Sequence, residues 1–273
     1  MDLYDSVAQE SSRLLTKRYS SSFGMASSLF DTSIRQDIYN IYGLVRLADE
    51  IVDTYRGDNA AMLLNDLEQD TYAAVASEYS TNLTVHAFQL TARKYGIDKE
   101  LVAPFFTSMR TDLTAKRFNR KQYQTYIHGS AEVVGLMCLR VFCGGNQAQY
   151  EALRPGAMSL GAAYQKVNFL RDIAEDWEQL ERYYFPIGSY DSFDEPTKAA
   201  IIDDIAADFG RAEPAIRQLP TSARRAVTLS YRYYSKLLQQ LRRTPAARIK
   251  QQRVRISKAR KLALLGVTMA GKK

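Results

Sequence analysis

Proline and glycine are scarce, 7 and 14 in 273 residues. Runs of alternating polar and apolar residues are missing too, so half-buried strands are not expected. There are only two cysteines, Cys138 and Cys143 in GLMCLRVFCGG, and no His or Cys cluster stands near them. A zinc site or disulfide framework is therefore not indicated; both read as small buried hydrophobes in a reduced, cytoplasmic protein. No apolar run approaches the roughly 20 residues that span a bilayer. The N-terminal MDLYDSVAQESSRLL lacks the basic-then-apolar order of a signal peptide. Neither G-x-x-x-x-G-K-[ST] nor G-x-G-x-x-G occurs, which argues against a nucleotide site. Acidic residues also stop at Glu213: residues 1–213 hold all 30 of them with 21 of the 37 basic ones, leaving 16 Lys and Arg beyond. The body is thus −9 and the C-terminal segment +16. A segment of that charge seeks a membrane, a nucleic acid or a diphosphate.

What is present is helical. Hydrophobic residues make up 46% and charged residues 25%, the balance of a globular protein with a real core. Helix formers dominate 60–95, 145–180, 197–218 and 221–243. Breaks are expected at RGDN (56–59), KYGID (94–98), FCGGN (142–146), RPG (154–156), FPIGSYDSFDEP (185–196), QLP (218–220) and RTP (243–245). No linker, internal repeat or low-complexity tract is seen. The expected fold class is all-α, with eight to ten helices.

Two acidic segments carry the chemistry. In VRLADEIVD (45–53), Asp49 and Asp53 are four apart, so a helix stacks their carboxylates on one face, with Arg46 a turn earlier. Glu50 is read as pointing elsewhere. In YQKVNFLRDIAED (164–176), Asn168, Asp172 and Asp176 share a face, flanked by Arg171 and Glu175, with Gln165 a turn before Asn168. Val167, Leu170, Ile173 and Ala174 supply the opposite, apolar face. One Asp-x-x-x-Asp is ordinary on a solvated helix. Two of them, each with an Arg and one with an amide oxygen in series, suit hard cations such as Mg²⁺ bound with phosphate. The arginines could hold the same phosphates through forked hydrogen bonds.

These segments resemble the paired aspartate-rich motifs of the squalene and phytoene synthase family. YSSSFGMASSLF (19–30), YIHGSAEVVGLM (126–137), RYYFP (182–186), SYRYYSKLL (230–238) and RVRISKARKLALL (253–265) resemble other family segments, in order along nearly the whole chain. The resemblance implies a single-domain isoprenoid-synthase helical bundle around a central cavity, spanning 1–245, with a basic C-terminal helix or tail at 246–273. It implies Mg²⁺-dependent head-to-head condensation of two prenyl diphosphates through a cyclopropylcarbinyl diphosphate. Bacterial phytoene synthases, acting on geranylgeranyl diphosphate in carotenoid biosynthesis, are the nearest in texture. Squalene or dehydrosqualene synthases acting on farnesyl diphosphate, and a non-catalytic scaffold relative, remain alternatives.

The resemblance assigns Asp49, Asp53, Asp172 and Asp176, with Asn168, to Mg²⁺ or Mn²⁺. It assigns Arg46, Arg171, Gln165, Asn168 and Ser22 to diphosphate, and Tyr42, Tyr126 and Tyr234 to the pocket. NADPH is not expected. Ser22 reads equally as a helix N-cap. His86 and His128 read as structural, and Lys17 and Lys166 as solvated charges. Gly129, Ala131 and Gly135 would permit close helix approach or clear space for substrate. The chain departs from the family pattern at Tyr19, Gly24 and Glu132; Glu132 is expected to face the cavity, cap a helix or pair with an Arg. Residues 242–261 hold nine Lys or Arg without a nucleic-acid motif, so no nucleic-acid partner is expected. RVRISKARKLALLGVTMAG mixes basic and apolar residues as an interfacial helix does; anionic membrane contact and packing on the acidic body are the two readings.

Overall fold

In this computed structural model residues 2–269 are described. The chain runs through α1 (Leu3–Tyr19), α2 (Ser21–Ser27), α3 (Thr32–Asp49), α4 (Ala60–Ser77), α5 (Leu83–Tyr95), α6 (Lys99–Asp112) and α7 (Arg120–Ile127). It continues through α8 (Val133–Cys143), α9 (Gln147–Leu180), α10 (Glu195–Gln218), α11 (Thr221–Arg243), α12 (Ala246–Ile249) and α13 (Lys258–Met269). Two π-turns interrupt this series: Glu50–Thr54 extends α3, and His128–Glu132 joins α7 to α8. Among the described residues there is no strand beyond one isolated bridge, Arg117 to Tyr183. The all-α expectation holds, with thirteen α-helices among the described residues against eight to ten expected, because α2 and α12 are short pieces and a π-turn divides α7 from α8.

Helix starts follow local chemistry. Asp31, Asn82, Asp98, Asn146 and Asp194 each accept a backbone N–H of the first turn, which satisfies donors the helix cannot. Asn119 and Gln122 close a reciprocal capping box. Gly96 and Gly144, at φ 66° and 57°, take the left-handed positions that end α5 and α8.

The break expected at Arg154–Gly156 does not occur: α9 runs 34 residues with Pro155 inside it. Pro155 removes one helical hydrogen bond. Packing compensates, because Gly156 lies so close to α10 that a Cβ would sit 2.3 Å from Ala215 Cβ. The sequence showed no unbroken membrane-length apolar run. Even so, the helical stretch Arg120–Cys143 is long and apolar enough to cross a bilayer, and 56% of its apolar window is buried inside the bundle. That burial marks a core helix.

Two apolar clusters form the interior. One gathers Leu44, Phe88, Phe105, Phe106, Leu136 and Met137 from α3, α5, α6 and α8. The other gathers Leu170, Ile202, Leu237, Ile249, Val254 and Ile256. Ala246, Ile249, Val254 and Ile256 are thus part of the core, and α13 packs on α11. Between the clusters α9 crosses the molecule, touching α8, the second π-turn and α10.

Candidate functional site

A cavity of about 830 Å³ opens between α2, α3, α8, α9 and α11. Its walls are largely apolar: Phe30, Ile38, Leu139, Phe142, Leu153 and Leu219 are among them. One end is polar. Arg46, Gln165, Asn168, Arg171 and Arg253 gather there, with Tyr42 and Tyr234. Phe23 stacks on Tyr42 at 5.1 Å, and Tyr164 on Tyr234 at 4.2 Å. The Tyr234 hydroxyl donates to Asn168 Oδ1 at 3.3 Å.

One helical turn beyond Arg46 and Asn168 stand the aspartates. Burial first, then the neighbouring Asp53, pushes the Asp49 carboxyl up to about 8. Burial, then Asp172 and Asp53, pushes Asp176 up to about 8. Asp53 of the first segment acts on Asp176 of the second, Asp112 acts on both Asp49 and Asp176, and Arg182 bonds to Asp53 by its side chain and to the Asp176 carbonyl by its amide, so the two segments, far apart in sequence, converge on one spot. Like charges so placed call for cations. Protein cations already lean in. Arg171 Nε donates to Asp172 Oδ1 at 2.7 Å, and Arg253 Nε pairs with the same oxygen at 2.9 Å while its Nη1 holds Glu175 at 2.9 Å. Arg46 pairs with Glu50 and stacks over the Tyr19 ring at 4.4 Å.

Several expected placements change. Glu50 does not point away; at i, i+4 from Arg46 it reaches that guanidinium. Tyr126 does not line the cavity: it is buried under the aspartates, where its hydroxyl donates to Asp112 Oδ2 at 2.6 Å. Ser20, not Ser22, caps α2 by accepting from the Phe23 amide, and the Ser22 side chain lies outside the described residues. Lys166 is not solvated. It is buried between α9 and α10 and ion-pairs with Asp204 at 2.5 Å and Asp208 at 2.8 Å. Glu132 pairs with His128 at 2.9 Å rather than with an arginine. His86, between Asp5 Oδ1 at 2.9 Å and the Ser80 amide, ties α5 to α1. Gly129 fits against α6, where a Cβ would meet Pro104 O at 2.1 Å, while Ala131 and Gly135 face the cavity. Close approach and cleared space are both realised.

Other residues went unread in the sequence. Asp112, ending α6, is lifted to about 7 by burial, against the opposing pull of Arg182 and the Tyr126 hydroxyl. Arg182 reaches Asp53, and Tyr184 donates to Asp112 Oδ1 at 3.2 Å. Only RYYFP, which contains Arg182 and Tyr184, hinted at them.

The donor set fits a divalent cation. Among the described residues no three Asp, Glu, His or Cys side chains close into a cage. The two converging pairs supply hard oxygen, and Mg²⁺ fills its shell with one or two carboxylates, phosphate oxygens and water.

The family model for squalene/phytoene synthase matches residues 16–260. The 15-cis-phytoene synthase of Synechococcus elongatus is 30% identical over 261 residues, covering 85% of this chain and 83% of that protein. The 15-cis-phytoene synthase of a Paracoccus species is 24% identical, covering 91% and 86%. Among solved structures, a dehydrosqualene synthase in complex with a ligand superposes with a TM-score of 0.80 at 19% identity, covering 98% of this chain and 97% of that one. A squalene synthase from Alicyclobacillus acidocaldarius gives 0.78 at 21%, covering 89% and 96%.

Proposed function

The chain belongs to the squalene/phytoene synthase family, and within it we propose a phytoene-type synthase that joins two geranylgeranyl diphosphates head to head. The observation that carries this reading is the approach of Asp53 to the second acidic segment, one helical turn beyond the Arg46, Asn168 and Arg171 that form the polar end of one apolar cavity. The chain-length preference leans on the phytoene synthase relatives, since likeness to the solved structures speaks to fold alone.

In this reading Asp49, Asp53, Asp172 and Asp176, with the Asn168 amide oxygen, would hold Mg²⁺, which when bound neutralises charge growing on departing diphosphate. Arg46 and Arg171 orient the diphosphates by forked hydrogen bonds. One diphosphate leaves with its bonding pair. The allylic cation is attacked by the double bond of the second chain, and loss of a proton closes the cyclopropylcarbinyl diphosphate. Loss of the second diphosphate, rearrangement and loss of another proton give the conjugated triene, so no reductant is consumed. Tyr42 and Tyr234 present aromatic faces to cationic carbon, and the apolar wall keeps water from trapping it. The protein would work in the cytoplasm, touching anionic membrane through exposed basic residues near its C-terminus.

Purified protein with Mg²⁺ is given geranylgeranyl or farnesyl diphosphate, each with and without NADPH, and the hydrocarbons are read by mass. Phytoene from the longer substrate without NADPH, abolished in Asp49→Ala and Asp172→Ala, is the expected result. Product from farnesyl diphosphate alone moves the enzyme to the squalene branch. No product from either, with folding intact, makes it a scaffold.

A further inference from the structure

Arg182 is fixed by the end of α9. Glu181 takes φ 53°, the left-handed conformation that reverses the chain. The Arg182 amide then donates to the Asp176 carbonyl at 3.1 Å, and its side chain turns back under the acidic cluster. Nη1 donates to Asp53 Oδ1 at 2.9 Å and to the Tyr184 hydroxyl at 3.2 Å. Nη2 reaches the backbone carbonyls of Asp112 and Val52. The Asp112 carboxylate stands 3.6 Å from Nη1. One residue thus holds the first acidic segment through its guanidinium, the second through its backbone, and the end of α6 between them.

Its two carboxylate partners differ. Asp112 is 4% exposed at the side chain, whereas Asp53 is 46% exposed and faces the solvent from which a cation would arrive. If Asp53 turned to another cation, Arg182 would keep Asp112, Tyr184 and two carbonyls. No buried charge would be orphaned, so the usual cost of breaking a buried pair does not arise.

We propose that Arg182 is a positioning residue, a built-in counter-cation that holds Asp53 against the second acidic segment until a divalent metal takes its place. The inference rests on Asp53 being a metal ligand. Arg182 keeps the two segments assembled while the metal is absent, and the metal competes with it for one carboxylate and leaves its buried contacts in place. Since the contested partner is half-exposed, the competition is modest, about fivefold in metal affinity.

The test compares wild type, Arg182→Met and Arg182→Lys by titrating Mn²⁺ and counting free ion by electron paramagnetic resonance, with melting temperatures measured with and without Mn²⁺. Arg182→Met is expected to melt lower without metal, to bind Mn²⁺ about fivefold more tightly, and to gain more from Mn²⁺ than wild type does. Arg182→Lys, which keeps the charge, stays close to wild type in affinity. A guanidinium that only braces the fold would give weaker or unchanged Mn²⁺ binding in Arg182→Met, and that result overturns the proposal. So does an Arg182→Met protein that stays unfolded even with Mn²⁺ while Arg182→Lys folds. Wild type that binds no Mn²⁺ overturns the metal reading of Asp53 as well; a wild type that binds, with no gain in the Met variant, overturns the counter-cation alone.

Discussion

Lys166 lies in the middle of α9 with its ammonium buried against Asp204 and Asp208, one turn apart on α10. Burial alone would lower its pKa, but the hydrogen bonds to Asp204 and Asp208 overrule it and raise the value. A lysine raised in the folded state contributes stability that is complete below the ordinary lysine value of about 10.4 and fades as pH climbs through the higher folded value. Lys166→Ala should therefore cost about 3 kcal/mol at neutral pH, because it strands Asp208 in the interior. Arg211, also paired with Asp208, keeps the loss from being larger. Urea unfolding at pH 7 and pH 11 checks both parts: the gap between wild type and variant should narrow at the higher pH. The aspartates of the site run the other way. Asp49 and Asp176 are raised to about 8 and Asp112 to about 7, burial being the leading cause in each. A carboxyl raised in the folded state is happier protonated there, so metal-free protein should lose stability as pH rises from 6 to 9. Calorimetry in chelator should show melting temperature falling across that window, with a shallower fall in Asp49→Asn. A flat profile would mean that these carboxyls are not held above their ordinary values in the folded protein.

At the scale of elements, the site is set by how closely α9 approaches the second π-turn. A Cβ on Gly161 would come within 2.6 Å of the Ala131 carbonyl oxygen, a backbone atom with no rotamer to yield. Gly161→Val should destabilise by about 2 kcal/mol and narrow the cavity wall. Gly210, exposed within α10, has nothing within 4 Å of such a Cβ. Gly210→Ala should stabilise by about 0.5–1 kcal/mol by restricting the unfolded chain. Chemical unfolding of the pair checks the contrast, which a helix-propensity argument alone would miss. The same distinction explains what could be read in advance. Asp49–Asp53 and Asn168–Asp172–Asp176 were legible because spacing of four is a local, periodic signal. Asp112 and Arg182 were not, since their contact spans 70 residues of sequence and depends on the turn at Glu181. Lys166 looked solvated because its partners lie 38 and more residues away on α10. Pro155 looked like a break because nothing local announces the packing of Gly156 on Ala215. Tyr126 carried a family motif, but the motif does not say which way a ring points at the end of α7.

Across the whole molecule the charge imbalance is partly spent inside the fold. Of the 16 basic residues beyond Glu213, Arg217 pairs with Glu213, Arg242 with Asp203, and Arg253 with Asp172 and Glu175. Packing on the acidic body is therefore real for these. Arg243, Arg248 and Arg255 remain exposed, Arg255 within the segment 253–256 that lines one side of the cavity. Farther along, Val267 is exposed on α13. The hydrocarbon product proposed above would have to pass from the cavity into lipid, and exposed cations beside apolar positions suit an anionic surface. Truncation ahead of these arginines is the wrong probe, since it would strip Ile249, Val254 and Ile256 from the core. Replacing Arg243, Arg248 and Arg255 by Gln leaves that core intact. At about 1 kcal/mol per cation near the surface, the triple variant should lose up to roughly a hundredfold in partition onto phosphatidylserine vesicles at low salt. The loss should shrink as salt rises, because the Debye length falls to about 8 Å near physiological ionic strength. Sedimentation with vesicles of matched anionic and neutral composition reads both trends. Equal sedimentation of wild type and variant on anionic vesicles would leave the basic segment as a brace for the acidic body and send the product out by another face.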